Sequence, residues 1–322
     1  MAVYTDLDAE ALAALLSHYD VGTLTSAKGI AEGVSNSNWL IETATNPAQS
    51  QRFILTMFEG RTDIADLPFF LGLLDHLAAA KAPVPRTIHD RAGQTHRLIG
   101  DKAVTLIEFL PGVSVSHPTP QAANAVGAAL AEIHAAAATF PMQRPNTMGP
   151  AMWAHLLTAC GPQLADIDPT LPALVSTHLP ALTANWPQNL PTGTIHADLF
   201  PDNVLMLGAE VTGLIDFYFA CTDTLAYDLA VTHAAWSFSP DGTIYRPEIG
   251  QALLAGYESK RPLTPAERAA FPLLGQGAAF RFLSTRAYDW LNTPPGALVT
   301  RKDPMAFAHR HTFYAANPAL FA

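Results

Sequence analysis

The stretch Ile195–Asn203, reading I-H-A-D-L-F-P-D-N, limits what this chain can be more than any other. After an apolar lead-in, His196, Asp198 and Asn203 fall at the spacing H-x-D-x-x-x-x-N. A further acid, Asp216, follows a short apolar run of Val211, Leu214 and Ile215. Val204–Leu207 and Val211–Ile215 predict a hairpin that presents Asn203 and Asp216. Two carboxylates and an amide in this order suit phosphoryl transfer, whose loose transition state asks the protein mainly to position reactants and neutralise charge. A carboxylate (Asp216) and an amide oxygen (Asn203) are the hard ligands Mg²⁺ prefers. Asp198 is the candidate base, orienting an attacking hydroxyl and taking its proton, and His196 is expected to brace the catalytic loop. Each piece has a plainer reading, since H-x-D is common and an Asp after a strand often caps a turn. The combination between apolar runs carries the inference.

The two motifs H-A-D-L-F-P-D-N and I-D-F resemble those of the aminoglycoside phosphotransferase/choline kinase superfamily. Residues 28–39 (K-G-I-A-E-G-V-S-N-S-N-W), 66–77, 213–230 and 281–299 are similar, within it, to the bacterial homoserine kinases of that fold. The resemblance implies an α+β, two-lobed protein-kinase-like fold, with a small antiparallel-sheet lobe over residues 1–110 and a larger, mostly helical lobe over 111–322. It also implies ATP and Mg²⁺, and L-homoserine phosphorylated on its side-chain hydroxyl in threonine synthesis.

Composition agrees in what it excludes. The 322 residues carry a net charge of −10 without a Lys/Arg run, which argues against a nucleic-acid surface. Cys160 and Cys221 form neither a disulfide framework nor a metal spacing. The start M-A-V-Y-T-D-L-D lacks a signal-peptide pattern, and the apolar stretch 122–140 is interrupted by Asn124, Glu132 and His134, so it reads as a buried helix. No membrane partner is expected, the expected compartment is the cytoplasm, and oligomeric state is not legible.

In the first lobe, Asp8–Tyr19 reads as a helix capped by Asp6 or Asp8. Strands at Leu24–Gly33 and Asn38–Thr43 flank a small polar loop, residues 33–37. A plain hairpin turn would have the same composition; the resemblance implies phosphate contacts from Ser35, Asn36, Ser37 and Asn38. The strand Arg52–Glu59 departs from the superfamily, because Thr56 stands where many relatives carry a phosphate-binding lysine, and an apolar residue near Phe70 stands in place of its glutamate. Lys28, Arg52 and Arg61 are the candidate replacements. A helix over Asp66–Ala80 and a strand pair, Thr87–His89 with His96–Ile99, precede the apolar strand Val104–Leu110. In a kinase this last strand is the hinge, with Glu108 and Leu110 meeting the adenine edge.

In the second lobe, His134 on the helix Pro120–Ala138 reads as a satisfied core histidine, and Trp153 and Trp186 as packing residues. Asp228, opening a helical run, reads as a cap or loop brace rather than a substrate contact. On a helix over Arg281–Trp290, Arg281 and Asp289 share a face and Arg286 lies on the adjacent stripe. They read either as an ion-paired helix or, for homoserine, as a clamp in which an arginine fork holds the carboxylate and Asp289 the ammonium. With Asp198 and Tyr218 these are the substrate-contact candidates. Rival acceptors are choline or ethanolamine, for which Tyr218, Trp236, Tyr288 and Trp290 would form an aromatic cage, and an aminoglycoside. A non-catalytic nucleotide-binding protein is the rival suggested by Thr56. The tail Asp303–Ala322 is expected to complete the lobe and end loosely.

Overall fold

Asp8 starts the first helix, α1 (Ala9–Leu16), its carboxylate accepting from the Ala11 N–H at 2.8 Å. In the computed structural model, residues 7–30, 36–46, 49–59, 62–294 and 301–321 are described; Ser35, Arg61 and most of Pro294–Gly296, where the sequence suggests a turn, lie outside them. The chain divides into two compact units, Met1–Pro111 and Gly112–Ala322.

The first unit adds β1 (Thr23–Ile30), β2 (Asn36–Asn46), β3 (Gln49–Phe58), α2 (Leu67–Ala79), β4 (Thr87–Ile88), β5 (Arg97–Ile99) and β6 (Lys102–Glu108). All pairings are antiparallel, in the order β1-β2-β3-β6-β4 with β5 also on β6. Alternation along the strands sends Trp39, Ile41, Phe53, Leu55, Met57, Val104 and Leu106 into one core with Leu12, Leu15, Leu16 and Tyr19 of the α1 region. Asn38, Thr56 and Thr105 therefore share the opposite face, where Thr56 Oγ1 donates to Asn38 Oδ1 at 2.7 Å. Two expectations change. The predicted strand pair does not form, because β4 and β5 each pair with the long apolar β6, and Asp90 folds the link between them by accepting from the Ala92 and Gln94 N–H groups. Asn36 and Ser37 belong to β2 rather than to a loop, since pairing with β3 runs on to Asn36↔Phe58.

The second unit contains β7 (Val113–Ser114), α3 (Pro120–Ala137), α4 (Pro150–Cys160), α5 (Leu164–Ile167), α6 (Leu171–Ala184), β8 (Thr192–Ile195), β9 (Val204–Leu207), β10 (Glu210–Leu214) and β11 (Cys221–Thr224). Helices α7 (Leu225–Trp236), α8 (Pro247–Glu258), α9 (Pro265–Asn292) and α10 (Met305–Ala316) complete it. The tail is not loose: α10 buries Phe307, His311 and Tyr314, and Phe321 packs on Phe271 at 5.4 Å. No helix among the described residues is long and apolar enough to cross a membrane.

Helices α3 and α8 touch backbone to backbone at two glycines. A Cβ on Gly127 would strike the Leu253 carbonyl, and one on Gly256 the Asn124 carbonyl. Neither obstacle is a flexible side-chain end, so the helices must separate to admit a methyl group. Gly127→Ala should cost about 1–3 kcal/mol, the usual range for overpacking. It should also lower activity, because α3 and α8 carry His134 and Tyr257, which back the site described next. Thermal denaturation and turnover of the purified variant check both; an unchanged melting temperature would mean that the two helices yield easily.

Candidate active site

Two strand registers set the site. Ile195 of β8 lies opposite Cys221 of β11, and Val204 of β9 lies opposite Leu214 of β10. The loop 196–203 and the turn 215–220 are therefore held side by side at both ends, and the Ile215 N–H donates to the Asn203 carbonyl at 3.0 Å. This brings His196, Asp198, Asn203 and Asp216 together across a single hairpin. His196 is fully buried and bridges the segments: Nε2 donates to the Ile215 carbonyl at 3.0 Å, and Nδ1 accepts from the Asp198 N–H at 3.2 Å. Burial holds its pKa below the ordinary histidine value, so the ring is neutral and braces the loop. Asn203 Nδ2 donates to the Asp198 carbonyl at 2.8 Å, which turns Oδ1 of the amide away from that bond.

Beneath the loop lies Asp228 on α7, with no solvent exposure. Its Oδ2 accepts from the His196 N–H and its Oδ1 from the Ala197 N–H, both at 2.7 Å. Since a carboxylate only accepts, His134 Nε2 donates to Oδ2 at 2.9 Å, and Nδ1 of that ring is hydrogen-bonded to the Tyr257 hydroxyl at 2.8 Å. Desolvation would raise the Asp228 pKa, yet these partners hold it below the usual carboxylate range. Ala197 adopts φ +64°, a left-handed conformation that costs a non-glycine residue about 1–2 kcal/mol. It stays there because its N–H is tied to Asp228 and its carbonyl accepts from Arg281 Nη1. Asp216 is also left-handed, at φ +67°, and backbone strain of this kind gathers at functional sites.

Burial pushes the Asp198 carboxyl up to about 7 against the pull of Arg281, with Asp216 adding to the rise. Asp216 is exposed, yet the protein around it desolvates its carboxyl and, with Asp202, raises it to about 6. Arg281 Nη2 stands 3.9 Å from Asp198 Oδ1. An aromatic platform of Phe200, Phe282 and Phe307 carries the cations: Arg281 lies 4.5 Å over Phe282 and Arg286 4.5 Å over Phe307.

Residues 26–263 match the phosphotransferase enzyme family. The chain belongs to that family. Among relatives of this phosphotransferase, the homoserine kinase of Xanthobacter autotrophicus is 49% identical, covering 98% of this chain and 97% of that protein. The homoserine kinase of Gluconobacter oxydans is 49% identical over 96% of this chain and 97% of its own length. An amicoumacin kinase in complex with AMP-PNP, Ca²⁺ and its antibiotic superposes with a TM-score of 0.73 at 15% identity, covering 97% of this chain and 95% of that one. A spectinomycin phosphotransferase bound to ADP and spectinomycin gives 0.72 at 14% identity, over 98% of this chain and 100% of that one. The fold is accordingly the protein-kinase-like α+β fold.

Several of the expected site residues of this phosphotransferase have surroundings that their sequence reading did not foresee. Arg281 is buried, with Nη1 donating to the Ala197 carbonyl and Nη2 facing Asp198, so it buttresses the loop. Asp289 lies eight residues further on, about 12 Å along the helix. Arg286 remains close: Asp198 is among the charges acting on it, and desolvation lowers its pKa to about 10. Trp236 cannot line a cage, since it is fully buried with Nε1 donating to the Leu199 carbonyl, and Trp290 is covered by Arg301 at 4.6 Å. In the first unit, the Ser37 hydroxyl donates to Glu59 at 2.6 Å on the core-side face, away from Asn38 and Thr56. Lys28 and Arg52 do share the Thr56 face by register, through Leu40 and Glu42, but Arg52 lies 4.4 Å over Phe109. The Glu108 N–H is already donated to the Arg86 carbonyl at 2.9 Å, leaving the Glu108 carbonyl and Leu110 for a ligand edge. Asp202 and Lys302, which pair beside this loop, were not singled out from the sequence; an acid directly beside Asn203 was the available signal for the first, and nothing local marks the second.

Asp228→Asn should destabilise the protein by about 2–5 kcal/mol at neutral pH, because a buried network loses its charge. The folded pKa is depressed, so this contribution is present above the unfolded value near 4 and disappears as pH falls through the folded one. The melting-temperature gap to wild type should therefore narrow in acid; a gap constant with pH would contradict the assignment. At Ala197, glycine should preserve turnover and valine reduce it at least tenfold, which steady-state rates will show.

Proposed function

We propose that this phosphotransferase moves the terminal phosphoryl group of ATP onto the side-chain hydroxyl of L-homoserine, forming O-phospho-L-homoserine for threonine synthesis in the cytoplasm. The observation that carries the substrate is the near full-length identity, at 49%, to proteins named homoserine kinase. The residues around Asp198 support the chemistry. Asp198 orients the acceptor hydroxyl and takes its proton, a task suited to a carboxyl held up near neutrality. Arg281 keeps that carboxylate aimed from behind through the Ala197 carbonyl. The Asn203 amide oxygen, turned out by its Nδ2 bond, and the Asp216 carboxylate are a hard-oxygen donor pair that fits Mg²⁺. Magnesium, when bound with the nucleotide, supplies charge neutralisation at the phosphates.

The first unit is read as the nucleotide-binding part and the second as the catalytic and substrate-binding part. Asn36 is buried, and its Oδ1 has no hydrogen-bond partner among the described residues, which suits an amide waiting for a ligand. Asn38 stands next to it on the same face, and Glu108 and Leu110 supply backbone groups for the adenine edge. For the amino-acid end, Arg286 is the carboxylate partner, while Tyr218 and Asp289 are further contacts.

A coupled assay of ADP release with MgATP against homoserine, choline, ethanolamine, serine and kanamycin tests the reading. Homoserine turnover should exceed the rest by orders of magnitude, and preferred use of another alcohol would overturn the substrate. Asp198→Asn should lower kcat by about 10²–10⁴-fold with the fold retained. Asp216→Ala should abolish Mg²⁺-dependent binding of AMP-PNP in calorimetry; retained binding would place the metal elsewhere.

A further inference from the structure

The loop 196–203 and the turn after β10 bring Asp198, Asp202 and Asp216 to one side of the unit, and a phosphoryl group arriving there adds negative charge. Arg281 and Arg286 each commit a donor to a backbone carbonyl, of Ala197 and Asp303. Lys302 is placed differently. Its Nζ stands 3.9 Å from Asp202 Oδ2 and 5.8 Å from the centre of the Phe200 ring, with the side chain 55% exposed. The side chains on either side are engaged. Arg301 Nη1 donates to the Trp290 carbonyl at 3.0 Å, and the Asp303 carboxylate accepts from the Met305 N–H at 2.8 Å. Phe200 and Asp202 belong to the loop that carries Asp198 and Asn203, so the ammonium stands beside that loop with its head toward solvent.

We propose that Lys302 is a further catalytic residue, whose ammonium turns from Asp202 to the transferring phosphoryl group. The inference rests on the phosphotransfer reading above. As the bond from the acceptor oxygen to phosphorus forms, the bond from phosphorus to the bridging oxygen of ADP breaks, and its electron pair leaves with ADP. The hydroxyl proton passes to Asp198; Lys302 keeps its own protons and supplies only charge. A compact ammonium suits a phosphoryl oxygen better than a planar fork, which favours a carboxylate.

Lys302→Met keeps the stem and removes the charge, and Lys302→Arg restores charge with a different shape. Lys302→Met should lower kcat about 10²-fold, the usual effect of losing one transition-state donor, with KM for homoserine unchanged and the melting temperature held. Lys302→Arg should recover part of the rate. Calorimetry on the same proteins with Mg²⁺ and either AMP-PNP or ADP is independent of the acceptor: wild type should prefer the triphosphate analogue and Lys302→Met should lose that preference. An intact preference, unchanged kcat, or a loss confined to KM for homoserine would overturn the proposal, the last by making Lys302 a carboxylate ligand. Failure of the substrate reading appears separately, as absence of homoserine turnover in wild type.

Discussion

The site depends on one buried carboxylate. An ionised group without solvent exposure is costly unless fully paired, and Asp228 is paired with two loop N–H groups and a histidine. The same bonds keep Ala197 in a left-handed conformation that it would otherwise leave, and that turn of backbone sets where Asp198 points. The loop geometry is thereby coupled to the packing of α3 and α8, since His134 and Tyr257 stand behind Asp228 and the two helices meet at Gly127 and Gly256. A methyl group at that crossing acts on the site through this chain of contacts, far from any substrate.

Charge is then distributed by commitment. Of the cations near Asp198, Arg281 is buried and engaged with backbone, Arg286 is largely desolvated over Phe307, and Lys302 keeps a solvent-facing head. The Phe200–Phe282–Phe307 platform supports all three, so apolar packing fixes where positive charge can act. In a chain of net charge −10, a local arrangement of this kind matters more than the overall balance.

Strand parity sorts the first unit. A lysine–glutamate pair does exist there, Lys102 with Glu59, joined by Ser37, but it lies on the face of Met57 and Val104. Asn38 and Thr56 occupy the other face. A lysine on the wrong parity cannot stand in for one at Thr56, however close it is in the sheet, because successive side chains point to opposite sides.

The sequence by itself determined the elements and the core of the site. His196, Asp198, Asn203 and Asp216 were legible as neighbours because a short loop and an adjacent hairpin bring them together through local geometry, and α1, β3 and β6 follow apolar periodicity, whereas only the Arg281–Trp290 part of α9 was read as helix. Asp228 was legible as a loop brace from its place at a helix start, but its partners were not. The tertiary structure alone decided that Arg281 is tied to the Ala197 carbonyl, that Trp236 is interior, that Ser37 faces away from Thr56, and that Lys302 stands beside Asp202. The physical reason is the same in each case. Residue type fixes what a side chain can do, whereas burial and the competing partners brought by distant segments decide which of those interactions it makes.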